Sequence, residues 1–316
     1  MRRTKTGGLF RTLSQQKILI VFLIPAIILT LIFNYIPMFG LVMAFQHFEI
    51  LKGFFHSDFI GLANFNEFLH TPDFYTALQN TIAINLISLV IVFPMPIVFA
   101  ILLNELVSAK FKKTIQTITY LPYFISWVVV GGLFYKLLES QTGIVNILLS
   151  HLGIGNIAFF REPQYFWAII IFATIWKGIG WNSILYLSAI HSIDPYLYEA
   201  AQVDGASRFQ RMWHITLPGI MGTATFLFIL TAGSLMNGSG GAGGSLAPNF
   251  EAFWNFRNGL VASKSDVLDI YVYQQCVQGA HYSYATAIGI FQSIMSLSLL
   301  FLTNSIIKKW RGEALF

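Results

Sequence analysis

Long apolar runs constrain this chain more than any other feature of its sequence. Six segments contain almost no charged residue, and each has roughly the length that a helix needs to cross a lipid bilayer. Of the 316 residues, 55% are hydrophobic and only 10% are charged, whereas soluble domains carry about 25% charged residues. The sequence therefore predicts an all-α membrane protein whose six transmembrane helices cover residues 18–46, 74–104, 114–135, 165–190, 219–236 and 284–307.

The basic residues predict which ends of these helices face the cytoplasm. Of the 19 Lys and Arg, 13 lie before the first span, after the second, after the fourth or after the sixth. Cytoplasmic loops carry such an excess of Lys and Arg. We therefore expect both termini and the loop at 191–218 to be cytoplasmic, with a short N-terminal segment at 1–17, a membrane domain at 18–307 and a tail at 308–316.

The first apolar run has two interpretations. A secretory signal peptide begins in a similar way, but its apolar region is shorter and ends in small residues at a cleavage site. The run here is longer and lacks such a site. We therefore expect an uncleaved first transmembrane helix.

The loop between the fourth and fifth spans is predicted to contain a short helix. Asp194 is a good N-cap, and Pro195 suits the first helical position. A glycine can adopt the left-handed turn that ends a helix, so Gly205 predicts its C-terminal end. A second short helix is expected to follow. Leu217 and Pro218 are then expected to redirect the chain into the fifth span, because a residue before proline avoids helical geometry.

This loop carries the pattern E-A-A-x3-G-x9-I-x-L-P, from Glu199 to Pro218. At average residue usage its seven fixed positions would match by chance on the order of 10⁻⁸ per starting point. The pattern resembles the cytoplasmic coupling loop by which membrane subunits of ATP-driven importers bind their ATPase; the alternative is an ordinary amphipathic loop. The resemblance implies that ATPase coupling involves Tyr198, Glu199, Ala200, Ala201, Val203, Asp204, Gly205, Arg208, Leu217 and Pro218.

In this interpretation Glu199 pairs with a basic group of the ATPase. Tyr198 and Val203 are expected to fill an apolar groove, as in other complexes in which a helix binds in a groove. The two small residues, Ala200 and Ala201, would allow the partner to approach the helix backbone closely.

Other motifs resemble permeases of carbohydrate importers of the maltose type (type I). They are FNYIPMFG from Phe33, FKKTIQTITYLP from Phe111, FISW from Phe124, IWKGIGW from Ile175 and YSYATA from Tyr282. The resemblance covers residues 17–312 and is greatest to the subgroup that imports complex oligosaccharides such as alginate fragments. It implies a second, similar permease in a heterodimer, two ATPase subunits that bind ATP and Mg, and an extracytoplasmic solute-binding protein. It implies no cofactor in this chain.

Residues 237–249 depart from the family pattern. About ten extra residues, mostly Gly and Ser, separate Asn237 from the Phe250-Glu251 pair. Such a composition is typical of a flexible linker. Two origins remain open, an engineered insertion and a native segment that touches the binding protein.

Lys177 is the only charged residue inside a predicted span, and intramembrane charges commonly mark functional sites. One hypothesis is that it accepts an anionic sugar, and the alternative is a structural pair with a backbone carbonyl. The aromatic residues beside it suit the apolar faces of sugars, although they could equally serve packing. By resemblance, the predicted substrate path consists of Tyr123, Trp176, Lys177, Trp181, Thr231, Ser234 and Asn237.

Two other classes of function fit the sequence poorly. No phosphate-binding loop, no clustered metal-binding histidines and no nucleophile motif is present, so an enzyme is not expected. An ion-coupled secondary transporter would be expected to hold acidic residues at mid-membrane, yet all 14 Asp and Glu lie outside the spans or at their ends. An ATP-driven importer permease for another solute class remains the alternative to oligosaccharide import.

Overall fold

The computed structural model describes residues 17–236 and 246–311. Five helices are long and apolar enough to cross a membrane, and a helix pair bent by 105° passes the same test when it is counted as one span. In chain order the six spans are Val21–Phe45, Pro72–Asn104, Ala109–Phe124 with Trp127–Leu137, Pro163–His191, Arg208–Gly233 and Tyr282–Lys309. The predicted six-span, all-helical class is therefore confirmed. The predictions for residues 1–16, Asn237, the glycine-rich stretch up to 245 and residues 312–316 lie outside the described residues.

Short elements complete the described chain. A two-stranded antiparallel ribbon, Gln46–His47 with Asp58–Phe59, follows the first span. The same loop carries helices Gly53–His56 and Ala63–Phe68, and the loop after the third span carries Ile144–His151. Helix Pro195–Val203 precedes the fifth span, and helices Phe250–Phe256, Ala262–Ser265 and Leu268–Tyr273 and the π-helical turn Gln274–Gln278 precede the sixth.

Three of the spans contain a π-helical turn that ends two residues before a proline. These turns are Leu31–Tyr35, Ser88–Val92 and Met212–Thr216, and they precede Pro37, Pro94 and Pro218. A proline ring clashes with the carbonyl four residues earlier and removes one hydrogen-bond donor. The wider π turn bonds the residue before the proline five residues back, as in the 2.9 Å bond from the Phe93 N–H to the Ser88 carbonyl. The helix therefore continues past each proline.

The fifth span shows that one expectation is wrong. Leu217 and Pro218 do not redirect the chain, because Leu217 has helical dihedral angles and donates its N–H to the Met212 carbonyl. The π turn at Met212–Thr216 relieves the clash that makes residues before proline avoid helical geometry. As a result the fifth span begins at Arg208 rather than near 219.

The third span is broken at a different proline. The helix Ala109–Tyr120 tightens into a 3-10 turn at Leu121–Phe124, and the chain then bends by 105° before the helix Trp127–Leu137. Ser126 begins the second helix as its N-cap, and its hydroxyl accepts the Val129 N–H at 3.4 Å. Pro122 lies in the 3-10 turn, and the size of this bend was not predicted from the sequence.

Two apolar clusters lie toward opposite ends of the bundle. One joins residues of the third and fourth spans to helix Phe250–Phe256, and Trp127, Phe166 and Phe253 lie within it. The other joins the second, fourth and fifth spans near the loop at 192–207, and Tyr186 lies at its centre with no exposed surface. A third cluster packs the loop before the second span against the sixth. The fourth span thus forms the axis around which the second, third and fifth spans pack.

The first span differs from the others in its packing. No residue in its most apolar 18-residue window is buried, whereas half of the corresponding window of the fourth span is buried. Its last ten residues, Ile36–Phe45, lie against the sixth span, but only Ala44 among them is buried. The first span therefore presents almost its whole circumference for contact with lipid or with another polypeptide.

Gly180 allows the third and fourth spans to approach closely. A Cβ atom built on this residue would lie 2.3 Å from the Thr119 carbonyl oxygen. We expect Gly180→Ala to force the two backbones apart at a cost of about 1–3 kcal/mol, seen as a lower melting temperature of the detergent-solubilised protein. Gly222→Ala is the matched control, because an added Cβ there meets nothing within 4 Å. Equal melting temperatures for the two variants would contradict this packing argument.

Candidate functional site

The helix between the fourth and fifth spans begins where the sequence predicts. It covers Pro195–Val203, and the Asp194 carboxylate accepts the Tyr196 N–H at 3.0 Å. This bond satisfies one of the free N–H groups at the helix start. Pro195 occupies the first helical position, where its missing donor costs nothing.

Glycine ends this helix, as predicted. Gly205 has a φ of +79°, and the Ala206 N–H donates to the Ala201 carbonyl at 2.9 Å. Together with the bond from Gly205 N–H to the Gln202 carbonyl, this forms the Schellman arrangement that closes a helix C-terminus. A capping box between Ser207 and Gln210 then starts the next helix, which runs into the fifth span. The conformation of the loop is therefore defined by its own hydrogen bonds.

The two faces of this helix have different environments. The Tyr198 hydroxyl lies 3.0 Å from the Thr216 hydroxyl, which is buried at the base of the fifth span. On the opposite face, Tyr196 is 74% exposed and Val203 is 89% exposed. Positions 196, 200 and 203 recur at helical spacing, so they form one outward stripe. Tyr198 and Val203 therefore do not share a face, contrary to the expectation that both fill one groove.

The other predicted coupling residues divide in the same way. Glu199, Ala200, Asp204, Gly205, Arg208 and Pro218 are exposed, whereas Ala201 and Leu217 are half-buried. We call the face made by Tyr196, Glu199, Ala200 and Val203 the docking stripe. Sequence reasoning missed Tyr196, although its spacing of four and seven residues from Ala200 and Val203 was available. It also missed Phe209 and Trp213, exposed aromatic residues whose rings stack 6.3 Å apart.

The second candidate site lies where the fourth span meets the break in the third. Lys177 is 9% exposed, and its Nζ donates to the carbonyl of Tyr123 at 2.7 Å and to that of Pro122 at 3.3 Å. It also donates to the carbonyl of Ile125. An ammonium group has three N–H donors, and all of them are used. The structure thus places Lys177 in the pair with backbone carbonyls that was one of the two hypotheses.

An aromatic pair lies beside this lysine. The rings of Tyr123 and Trp181 stack with centroids 4.5 Å apart and an interplanar angle of 7°. Phe124 meets Trp181 edge to face at 5.7 Å. Phe124 and Trp181 are 70% and 37% exposed. Their rings therefore form an apolar surface beside the Tyr123–Trp181 stack, outside the packed interior. Three predicted path residues, Tyr123, Lys177 and Trp181, are thus brought together.

The remaining predicted path residues lie elsewhere. Trp176 packs into the interior against Phe134, with ring centroids 6.1 Å apart. On the fifth span, the Thr231 hydroxyl donates to the Leu227 carbonyl at 2.8 Å, and the Ser234 hydroxyl donates to the Thr231 carbonyl at 2.9 Å. Each of these hydroxyls uses its hydrogen on its own helix. Within residues 17–236 and 246–311 there is no cluster of His, Cys, Asp or Glu that could hold a metal ion.

A cavity of about 360 Å³ opens at the end of the bundle opposite the docking stripe. Tyr135 and Phe160 stack at its wall with centroids 3.8 Å apart, and the Asn258 amide donates to the Tyr135 hydroxyl at 3.2 Å and to the Phe160 carbonyl at 2.9 Å. Charged side chains of Lys136, Glu139 and Arg161 complete its lining. No spacing of these residues in the sequence would have predicted that they meet.

The fold and these surfaces define a class of protein, a multi-span membrane subunit that exposes a short docking helix between its fourth and fifth spans. The chain belongs to the family of binding-protein-dependent transport system inner membrane components, which matches residues 96–311. It is therefore a multi-pass permease subunit of a bacterial inner membrane, and it carries no catalysis of its own.

Two relatives from Bacillus subtilis (strain 168) are similar over nearly the whole chain. Protein LplB is 39% identical, covering 96% of this chain and 92% of its own length. The polygalacturonan/rhamnogalacturonan transport system permease protein YteP is 37% identical, covering 100% of this chain and 95% of its own length. The arabinooligosaccharides transport system permease protein AraP of Halalkalibacterium halodurans is 28% identical over 95% of this chain and 92% of its own length.

Two solved structures have the same fold. One is a bacterial ABC transporter involved in the import of the acidic polysaccharide alginate, with a TM-score of 0.84 and 37% identity over 96% of this chain and 99% of that chain. The other is a bacterial alginate ABC transporter in complex with an alginate pentasaccharide-bound periplasmic protein, with a TM-score of 0.86 and 36% identity over 97% and 99%. These likenesses support the assignment as an importer permease with the type I fold.

The bond between Tyr198 and Thr216 attaches the docking helix to the fifth span, and its removal should be measurable. Tyr198→Phe leaves the buried Thr216 hydroxyl without this partner, at a cost of about 1 kcal/mol. Amide hydrogen exchange at residues 195–203 should therefore accelerate roughly fivefold. Tyr196→Phe is the control, because its hydroxyl lies on the exposed face. Equal acceleration in both variants would contradict the role of this bond.

Proposed function

We propose that this chain forms half of the translocation path of an ATP-driven importer for acidic oligosaccharides. The observation that carries the proposal is its similarity, over at least 96% of its length, to solved permeases of alginate importers. A second line of support is YteP, whose substrates by name are also polymers rich in acidic sugars. A solute-binding protein outside the membrane delivers the oligosaccharide, as in the complex with the periplasmic protein.

The docking stripe is the surface that the ATPase binds. From the sequence, 13 of the 19 Lys and Arg are expected on the same side of the membrane as this loop, and such an excess predicts that the side is cytoplasmic. Exposed Tyr196 and Val203 supply apolar surface on one helix face, and Glu199 supplies a carboxylate for a basic group. Two ATPase subunits, one for each permease, hold ATP and Mg, and this chain holds neither.

A second permease packs against this chain. The first span supports this part of the proposal because its apolar surface is almost entirely uncovered by the rest of the chain. Isolated spans gain stability when they pack against other helices. The partner permease supplies the other half of the path.

The aromatic pair Tyr123–Trp181 contributes to the path within this chain. Sugar rings present C–H faces to aromatic surfaces, and the exposed ring of Trp181 with the edge of Phe124 provides such a surface. Thr231 and Ser234 line the path on the fifth span. Because each hydroxyl hydrogen is donated within the helix, these residues contribute their oxygens as hydrogen-bond acceptors. Trp176 supports the wall from behind, because it packs in the interior.

The cargo can be tested with the assembled complex of permeases, ATPases and binding protein in lipid nanodiscs. Uronate oligosaccharides of two to six units are compared with the same oligosaccharides after reduction of their carboxyl groups. We expect the acidic series to stimulate ATP hydrolysis severalfold over the complex with unliganded binding protein. The neutral series should stimulate it much less. Stronger stimulation by neutral oligosaccharides would overturn the acidic cargo and favour another solute class.

The docking stripe can be tested with a pair of matched variants. Val203→Asp places a charge on the stripe, and we expect it to abolish co-purification of the ATPase because a desolvated, unpaired carboxylate is costly in an interface. Val107→Asp is the control, since Val107 is 82% exposed on the loop between the second and third spans, at the same end of the bundle. Normal ATPase recovery with Val203→Asp, or equal loss with both variants, would exclude the stripe as the docking surface.

A further inference from the structure

The ammonium group of Lys177 lies in a buried site formed by the third span. It is nine-tenths buried, and its three N–H donors are directed at three carbonyls of the third span, those of Pro122, Tyr123 and Ile125. Two aromatic rings, of Tyr123 and Trp127, lie 5.5 and 5.6 Å from the ammonium nitrogen. The group is surrounded by acceptors of this chain and has no free donor for a ligand.

The break in the third span explains why such a group is needed. Where a helix ends, its last carbonyls lack intrahelical partners. Inside a bilayer no water replaces those partners, and each unsatisfied group costs several kcal/mol. A cation is also favoured at a helix C-terminus by the helix dipole. At the 3-10 turn that ends the first half of the span, Lys177 donates to the Tyr123 and Ile125 carbonyls and shares the Pro122 carbonyl with the Ile125 N–H, which lies 3.2 Å away.

Tyr123 connects this lysine to the aromatic pair. Its carbonyl accepts the hydrogen bond of Lys177 Nζ, and its ring stacks on Trp181, which is four residues beyond Lys177 on the same helix. Gly180 brings the backbones of the two spans together one turn from the lysine. Lys177 thus bonds the backbone of the same residue whose ring stacks on Trp181.

We propose that Lys177 is a positioning residue, which fixes the bend of the third span and so holds Tyr123 against Trp181. The anionic group of a substrate is bound elsewhere. This inference deepens the proposed function, because it assigns the aromatic pair to the sugar path and removes Lys177 as the group that selects acidic sugars.

The position of the aromatic pair can be measured by ¹⁹F NMR independently of transport. Tryptophan is replaced by 5-fluorotryptophan throughout, and the Trp181 resonance is assigned from its absence in Trp181→Phe. Stacking on Tyr123 shifts this resonance, and Tyr123→Leu gives the unstacked value. We expect Lys177→Met to move the resonance to the unstacked value. Lys177→Arg keeps a cation with several donors and should retain most of the shift.

A matched control is Lys113→Met, which removes an exposed lysine from the same third span and should leave the resonance unchanged. A Trp181 resonance that stays at the stacked value in Lys177→Met would overturn the proposal. If Lys177→Met does not assemble, Lys177→Gln, whose shorter uncharged side chain reaches fewer of the three carbonyls, takes its place, and a Trp181 resonance at the fully stacked value in that variant would equally overturn the proposal.

Stimulation of ATP hydrolysis separates positioning from anion binding. A positioning role predicts that Lys177→Met returns ATP hydrolysis with acidic oligosaccharides to near the unstimulated rate and also removes the smaller stimulation by the carboxyl-reduced series. Loss of stimulation by the acidic series alone would instead identify Lys177 as the anion-binding group. Failure of the proposed cargo has a different signature, because the unmodified complex would then respond to neither series or more strongly to the neutral one, while the ¹⁹F measurement still tests Lys177.

Discussion

The need to satisfy every backbone polar group within the membrane governs this structure. A bilayer offers no water to a carbonyl or N–H group that lacks a partner, yet this chain places prolines in most of its spans. Where the helix can be widened, a π turn carries it past the proline, as before Pro37, Pro94 and Pro218. After Pro122 the chain bends by 105°, and a wider helical turn cannot keep the backbone hydrogen bonds continuous through such a bend. There Lys177, a side chain of the neighbouring fourth span, donates hydrogen bonds to the carbonyls.

The same constraint explains what the sequence could and could not predict. The spans could be predicted from composition, because a water-soluble fold cannot bury six nearly uncharged runs of this length. The cap at Asp194 and the left-handed turn at Gly205 followed from local backbone chemistry. The expectation for Leu217 and Pro218 was wrong because the rule for residues before proline assumes a normal α-helical turn, and the π turn removes that assumption. The partners of Lys177 lie 52 to 55 residues away in the chain, so no local pattern identified them.

Side-chain direction was the second limit. The docking helix was predicted within one residue at each end, but its outward face was not, because Tyr198 and Val203 were both chosen for their apolar character. Five positions separate them, which turns one of them away from the other on a helix. The buried Thr216 hydroxyl, which fixes Tyr198 inward, comes from the next helix. Only the packing of the loop on the fifth span decides which face remains for a partner.

This packing also bears on how the proposed ATPase can act on the membrane path. The docking helix is attached to the fifth span through the Tyr198–Thr216 bond and through the Schellman turn and capping box that join the two helices. From Arg208 the helix continues without a break to Gly233. A force applied at the docking stripe therefore reaches the middle of the bundle through continuous hydrogen-bonded backbone. The third span, in contrast, is divided at its bend, and its outer half is joined to the fourth span by Lys177 and by the apolar cluster that contains Trp127 and Phe134.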